Sequence, residues 1–213
     1  MDKKKAKKVV VIISHPDDEV LWTGATLLDH PEWQCDIICL CRKYDSDRAP
    51  RFYKALNAFH SEGAMGDLDD GPAQLPQDKK EIERLILELL PDIEYDLVIT
   101  HNPSGEYTRH LRHEETGAAV MSLWSQGNLP GKELWIFAYE DGNRKYFPQA
   151  QKTADLYFEL SAGLWKQKYE LITDIYGFGI DSWEAQATPK AEAFWRFTKK
   201  EEASKSLQEK QTV

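Results

Sequence analysis

Two short stretches of the chain carry residue types that could hold a metal ion and move protons. The first is Ser14–Glu19, SHPDDE, where one imidazole, His15, is followed closely by the carboxylates Asp17, Asp18 and Glu19. Carboxylates this close in a crevice repel one another unless a cation compensates them, and a divalent metal is the simplest compensator. His15 and Asp18, three apart around a turn, can converge as nitrogen and oxygen ligands of a zinc-type ion. Asp17 is then free to work as a base. The plain alternative is a helix cap flanked by solvated carboxylates. The second stretch is Thr100–Glu115, THNPSGEYTRHLRHEE, which holds His101, His110 and His113, half of the six histidines. His110 and His113 lie three apart, so both rings fall on one side of a helical turn. His113 can complete a facial set with His15 and Asp18 that leaves positions for water and substrate. Surface histidines at a helix start are the competing account.

Each stretch needs an element to aim it. Val9–Ile13 is an unbroken β-branched run and predicts a buried strand ending at the first cluster. Pro16 stiffens the turn that follows, and Asp17 or Asp18 can cap a helix through Val20–Leu28. Asp96–His101 predicts another strand, which ends at the second cluster. Loops at the carboxyl ends of parallel strands open into one crevice, so the two clusters are expected to meet. The first loop has no glycine, which excludes the G-x-G-x-x-G mode of dinucleotide binding.

Elsewhere, Cys35–Cys41 predicts a strand, and Pro50 opens a helix through Arg51–Glu62 that Gly63 ends. Gly66–Pro76 reads as a loop, Asp78–Leu90 and Glu114–Trp124 as helices, and Glu133–Tyr139 as a strand. Asp155–Leu171 reads as a helix, and Trp183–Phe197 has helical periodicity broken near Pro189. The alternation predicts a single α/β domain, a mostly parallel sheet covered by helices on both faces. Its expected bounds are residues 9–198, between a basic N-terminal tail over 1–8 and a polar tail over 199–213 that should fray.

At 213 residues the chain can bury one sizeable core. A formal net charge of −9 argues against nucleic-acid or acidic-membrane partners. No apolar run reaches membrane-span length and no signal-peptide core precedes the first strand, so a soluble, cytoplasmic protein is expected. Cys35, Cys39 and Cys41 are odd in number and share an even spacing, as buried core thiols on one strand face would.

HPDDE at His15–Glu19, NPSGEYTRHLRH at Asn102–His113 and the Arg48–Gly71 region with its DDG at Asp69–Gly71 together resemble the PIG-L/LmbE-like zinc-dependent N-acetylglucosaminyl deacetylases, over about the first two-thirds of the chain. The resemblance implies a Rossmann-like fold and removal of an N-acetyl group from an N-acetylglucosamine-type or related acetamido substrate by attack of a zinc-bound water. It implies ligands His15, Asp18 and His113 for Zn2+, or for another divalent ion such as Fe2+, with Asp17 as general base. His110 is implied as an imidazolium that stabilises the oxyanion and protonates the leaving amine. Two features depart from the pattern. Many relatives read His-Pro-Asp-His where this chain has His110-Leu111-Arg112-His113, so Glu114 or an aspartate of the Asp67–Asp70 loop is expected to orient His110. Relatives often carry a tyrosine two residues before that histidine; here Tyr107 is three before, leaving open whether it contacts the oxyanion or packs the loop.

Arg48, Arg51 and Asp70 are candidates for the substrate end of the crevice, against a role as surface pairs. Trp22 reads as core rather than as a sugar platform, Glu19 as an acceptor that buttresses the loop, and His30, His60 and His101 as structural. The expected partner is a small acetamido substrate, and assembly into a homo-oligomer is left open. The rival readings are a metal-dependent hydrolase of another amide or ester, and a ligand-binding module without turnover.

Overall fold

The computed structural model describes residues 6–211. In chain order it builds β1 (Lys8–Ile13), α1 (Asp18–Asp29), β2 (Gln34–Cys41), α2 (Arg48–Phe59), β3 (Glu62–Leu68), α3 (Lys79–Leu89), β4 (Tyr95–Thr100), α4 (Leu111–Gln126) and β5 (Gly131–Phe137). The C-terminal part adds β6 (Tyr139–Glu140), β7 (Gln149–Ala150), β8 (Leu156–Glu159), α5 (Ala162–Glu170), a π-helical turn (Leu171–Ile175), α6 (Trp183–Ala187), β9 (Ala191–Phe197) and α7 (Lys200–Gln211). The main sheet runs β3-β2-β1-β4-β5-β9-β8, with β6 and β7 paired separately. Strands β1 to β5 are mutually parallel, while β9 is antiparallel to β5 and β8 antiparallel to β9. This is the expected single α/β domain with a mostly parallel, Rossmann-like sheet.

Val9, Val11 and Ile13 face one apolar cluster, and Val10 and Ile12 face the other. A strand buried on both faces must read as a continuous β-branched run, as β1 does. Chain order reverses between β1 and β4, so the crevice at their carboxyl ends is the switch point where such sheets bind ligands. Both histidine clusters leave from those two ends. No helix among the described residues is long and apolar enough to cross a membrane.

Several expectations change. The helix after Pro50 begins earlier and ends at His60, whose left-handed backbone closes α2. Gly63 lies instead in β3, where a Cβ would sit 2.2 Å from the Ile37 carbonyl oxygen. Part of the expected loop from Gly66 is therefore strand. A register shift between Cys39 and Cys41 turns Cys41 to the opposite face from Cys35 and Cys39, so the three buried thiols do not share one face. The helix expected over Asp155–Leu171 divides into β8, α5 and the π-helical turn, and the segment beyond Pro189 is the strand β9, held by its pairing with β5 and β8. Residues 200–211 form α7, with Ala203 and Leu207 buried in the core, in place of a frayed tail. Of the basic N-terminal tail, residues 1–5 lie outside the described residues; Lys8 already belongs to β1 and Lys7 packs over Trp33 and Trp135.

Candidate metal centre

The loop after β1 is shaped by a strained residue. Asp17 has φ 116° and ψ −25°, a left-handed conformation that L side chains rarely adopt. It stands at the N-terminus of α1, yet its side chain makes no capping bond. Its carboxylate accepts instead from Arg48 Nη1 at 3.0 Å, and Arg48 lies over the Phe178 ring, 4.3 Å from its centroid. Glu19 braces the turn from beneath: Oε2 accepts from the Asp17 N–H at 3.1 Å and Oε1 from the Tyr176 hydroxyl. Burial, joined by repulsion from Asp18 and resisted by Arg48, raises the Asp17 pKa to about 7. Burial raises that of Glu19 to about 8.

Next to Asp17, three donors converge. His15 Nδ1 lies 3.2 Å from His113 Nε2 and 3.3 Å from Asp18 Oδ2, and His113 Nε2 lies 3.3 Å from Asp18 Oδ1. A tetrahedral zinc site with bonds of about 2.0–2.1 Å separates neighbouring donors by about 3.3 Å, and the two imidazoles and the two Asp18 oxygens approach one another at that scale. The donors are also fixed from behind. Asp18 accepts from the His15 N–H at 2.8 Å and the Trp22 indole N–H at 2.9 Å. His113 Nδ1 meets Glu106 Oε2 at 2.7 Å, and Asp70 Oδ1 stands 3.1 Å from His15 Nε2. A carboxylate behind each imidazole orients a metal-binding histidine and raises its basicity.

Charge supports the same fit. Burial would lower the His15 pKa, but Asp18 and Asp70 hold it well above the usual imidazole value. Burial opposes ionisation of Asp18 and Glu106, yet neighbouring histidines pull Asp18 well below the carboxylate range and Glu106 to about 2. The cage thus demands positive charge. His15 Nε2 and His110 Nδ1 are buried without a well-formed hydrogen bond among the described residues. His101 also approaches Asp18, at 3.3 Å, but its Nε2 accepts from the Ser14 N–H at 3.1 Å and its Nδ1 meets Glu106 at 3.0 Å. Both His101 nitrogens thus have partners, although Asp18, His101 and His113 offer ligand atoms within 4.8 Å of one another, as do His15, His110 and His113.

His110 stacks on His113, ring centroids 4.5 Å apart, and makes an edge contact with His15 at 4.6 Å. Burial together with these two rings lowers its pKa to about 3, which favours the neutral ring, while Asp18 and Asp70 oppose that shift. Neither expected acid orients it. Glu114 is held by Arg109 through three contacts of 2.7–3.0 Å, and Asp70 by His15 and Arg42. Arg112, in the place of the usual aspartate, is fully buried and turns away; it donates to the carbonyls of Asp69 and Leu75 and to Glu115, tying the Asp70 loop to α4.

A cavity of about 150 Å³ opens on the cage, lined by Asp17, His110, Arg42, Arg48, Tyr107, Trp183 and Glu184 among others. Of the candidates for its substrate end, Arg48, Asp70 and Tyr107 line it, whereas Arg51 donates to the carbonyls of Ile175 and Tyr176 and has a structural place. Tyr107 packs on Trp183 at 4.8 Å and on His113 at 5.4 Å, and burial raises its pKa. Sequence reasoning missed Glu106, Trp183 and Glu184, and weighed Trp22 as core against a sugar platform without its bond to Asp18; it is buried in the core and donates to Asp18. Trp22 had a readable signal, its i,i+4 relation to Asp18 on one helix. Trp183 and Glu184 had none.

No family profile matches the chain. An uncharacterized protein of Acanthamoeba polyphaga mimivirus is 27% identical over 170 residues, covering 72% of this chain and 71% of its own. Among solved structures, N,N'-diacetylchitobiose deacetylase from Pyrococcus horikoshii superposes with a TM-score of 0.67 at 17% identity, over 91% of this chain and 85% of its own. The zinc-inhibited form of teicoplanin deacetylase Orf2 gives 0.58 at 17% identity, over 82% and 85%. The 4-carboxy-2-hydroxymuconate hydratase GalB from Pseudomonas putida gives 0.55 at 14% identity, over 89% and 95%. The chain therefore has the fold found in LmbE/PIG-L-type deacetylases, a fold that also carries a hydratase.

Proposed function

We propose that this protein is a metal-dependent N-deacetylase that hydrolyses the acetamide of an N-acetylglucosamine-type or related substrate. The carrying observation is the convergence of His15, Asp18 and His113 donors with a carboxylate, Asp17, aimed by Arg48 beside them at the cavity. His15, Asp18 and His113 would hold a zinc or similar divalent ion, and the chemistry of that donor set fits it. When bound, such an ion lowers the pKa of water and polarises a carbonyl oxygen.

The chain's own groups supply the rest. Asp17, a buried carboxylate at the cavity, takes the proton of the attacking water and can afterwards pass it to the departing amine nitrogen. Arg48 keeps that carboxylate ionised and aimed. His110, neutral at rest, serves the developing oxyanion as an N–H donor, as a neutral imidazole can when its pKa is depressed. Trp22 and Glu106 hold the ligand carboxylate and the ligand imidazole in place, so little reorganisation accompanies the reaction.

The test is acetate release from N-acetylglucosamine, its oligosaccharides and non-sugar acetamides by the metal-replete protein. Asp17→Asn is expected to lower turnover about 10²–10⁴-fold with bound metal retained. Equal inertness of wild type and Asp17→Asn toward every acetamide would defeat the deacetylase reading. Turnover confined to non-sugar amides or esters would keep the hydrolase and discard the sugar.

A further inference from the structure

The groups assigned to the reaction come from the parallel part of the sheet and its loops, yet the cavity mouth is walled by Trp183 and Glu184 of α6. We propose that these two side chains form a saccharide-reading edge. Trp183 offers a flat apolar face to a neutral hydroxylated ring, and Glu184 accepts hydrogen bonds from its hydroxyls, so the site favours neutral sugars over anionic ones. For the identity of the reaction this rests on the deacetylase reading; the binding stands apart from it.

Size gives the first reason. The cavity is small, about 150 Å³, and its lining joins Trp183 and Glu184 to Asp17 and His110, so a sugar whose acetamide reaches Asp17 lies within reach of both α6 side chains. At the mouth Trp183 remains 39% exposed while packing on Tyr107. An aromatic ring backed by another but open on one side suits stacking against the apolar face of a sugar.

The second reason is an unpaired acceptor. The Glu184 carboxylate is half-buried and has no hydrogen bond or ion pair among the described residues, although it is close enough to Asp17 to repel it. An ionised carboxylate offers acceptors only, which hydroxyl donors satisfy. Both arginines of the lining are already engaged, Arg42 with Asp70 at 2.7 Å and Arg48 with Asp17 at 3.0 Å. A phosphate or carboxylate on the substrate would meet guanidinium groups already paired with carboxylates and would face Glu184.

The edge is also prebuilt. Ser182 caps α6 through the Ala185 N–H, Thr188 donates to the Glu184 carbonyl at 2.8 Å, and Ala185 and Ala187 are buried. Upstream, Arg51 holds the chain at Ile175 and Tyr176, and Gly177 takes φ 72° where any Cβ would strike the Arg51 guanidinium. Ordering this segment costs little at the moment of binding.

Steady-state hydrolysis of N-acetylglucosamine and N-acetylglucosamine 6-phosphate by wild type, Trp183→Ala, Trp183→Phe and Glu184→Gln tests the proposal, with thermal midpoint and bound metal measured for each. Trp183→Ala should raise KM for N-acetylglucosamine about tenfold while kcat moves much less, and Trp183→Phe should recover part of that loss. Glu184→Gln should reduce the preference for the neutral over the phosphorylated sugar about tenfold. An unmoved KM in Trp183→Ala, or an unmoved preference in Glu184→Gln, overturns the edge. If wild type releases no acetate from any substrate, the reaction assignment fails, and calorimetric titration with N-acetylglucosamine still decides the edge. Binding by wild type that calorimetric titration finds abolished in Trp183→Ala supports it; no binding by wild type rejects it.

Discussion

The cage between β1 and β4 and the interior beneath α5 and β9 both bury charge, and they balance it in opposite ways. Under α5, Lys168 Nζ meets Glu192 Oε1 at 2.7 Å with both side chains fully buried. Glu192 also accepts from the N–H groups of Ala25 and Thr26 and the Thr26 hydroxyl, at 2.6–2.8 Å. One cation and three donors satisfy one carboxylate, and the group is complete. At the cage, Asp17, Asp18 and Asp70 line one cavity with His15, His110 and His113; Arg48 pairs with Asp17 and Arg42 with Asp70, but two ring nitrogens, His15 Nε2 and His110 Nδ1, lack well-formed bonds. Burial of charge does not by itself mark a site. An unbalanced, converging donor set does, because it is costly to keep unless a ligand completes it.

The contrast can be broken most sharply at the ligands. His113→Ala should lose most bound divalent metal by elemental analysis, whereas His110→Ala should retain nearly all of it. Equal loss in both would erase the distinction drawn between the two rings. The next effect lies in the other region. Glu192→Gln leaves Lys168 buried without its counter-charge and should cost about 3–5 kcal/mol in denaturant unfolding, with metal affinity unaltered. A weakened metal site in that variant would mean that the two regions are not independent.

Glu106→Gln should weaken metal binding about 10–100-fold by chelator competition, with a smaller loss of stability than Glu192→Gln. The smallest effect is a shift of pH dependence. Asp17 must be ionised to take a proton, so kcat/KM should rise with pH along a limb governed by its pKa. A bound cation would place that limb below the metal-free value of about 7. Arg48→Met removes a positive neighbour, which disfavours the carboxylate, so the limb should move to higher pH. A limb that stays in place would exclude Asp17 as the group that titrates.

Legibility followed physical context. β1, β2 and β4 were readable because a strand buried on both faces admits little but Val, Ile, Leu and Cys. β9 was not: AEAFWRF carries Glu192 inward against Lys168 and the α1 backbone, and a buried charged residue disguises a strand's alternation. α7 was hidden because, among the described residues, Ala203 and Leu207 alone of an otherwise polar segment are buried in the core. Among site residues, the convergence of His15, Asp18 and His113 was inferable because two parallel strands ended on them. The partners of those residues were legible only for Trp22, four residues after Asp18 on one helix; Asp70 and Glu106 reach the histidines through loop geometry that spacing does not encode.

By itself the sequence determined a two-sided parallel sheet and two ionisable loops at its switch point, because β-branched runs and their abrupt polar ends permit few other arrangements. Only the tertiary structure decided that Arg112 serves the Asp70 loop and not His110, that His101 is spent on Ser14 and Glu106, and that α6 walls the mouth. Those outcomes depend on which hydrogen-bonding partners the packed chain brings within about 3 Å, a distance set by the whole fold and by no single stretch of it.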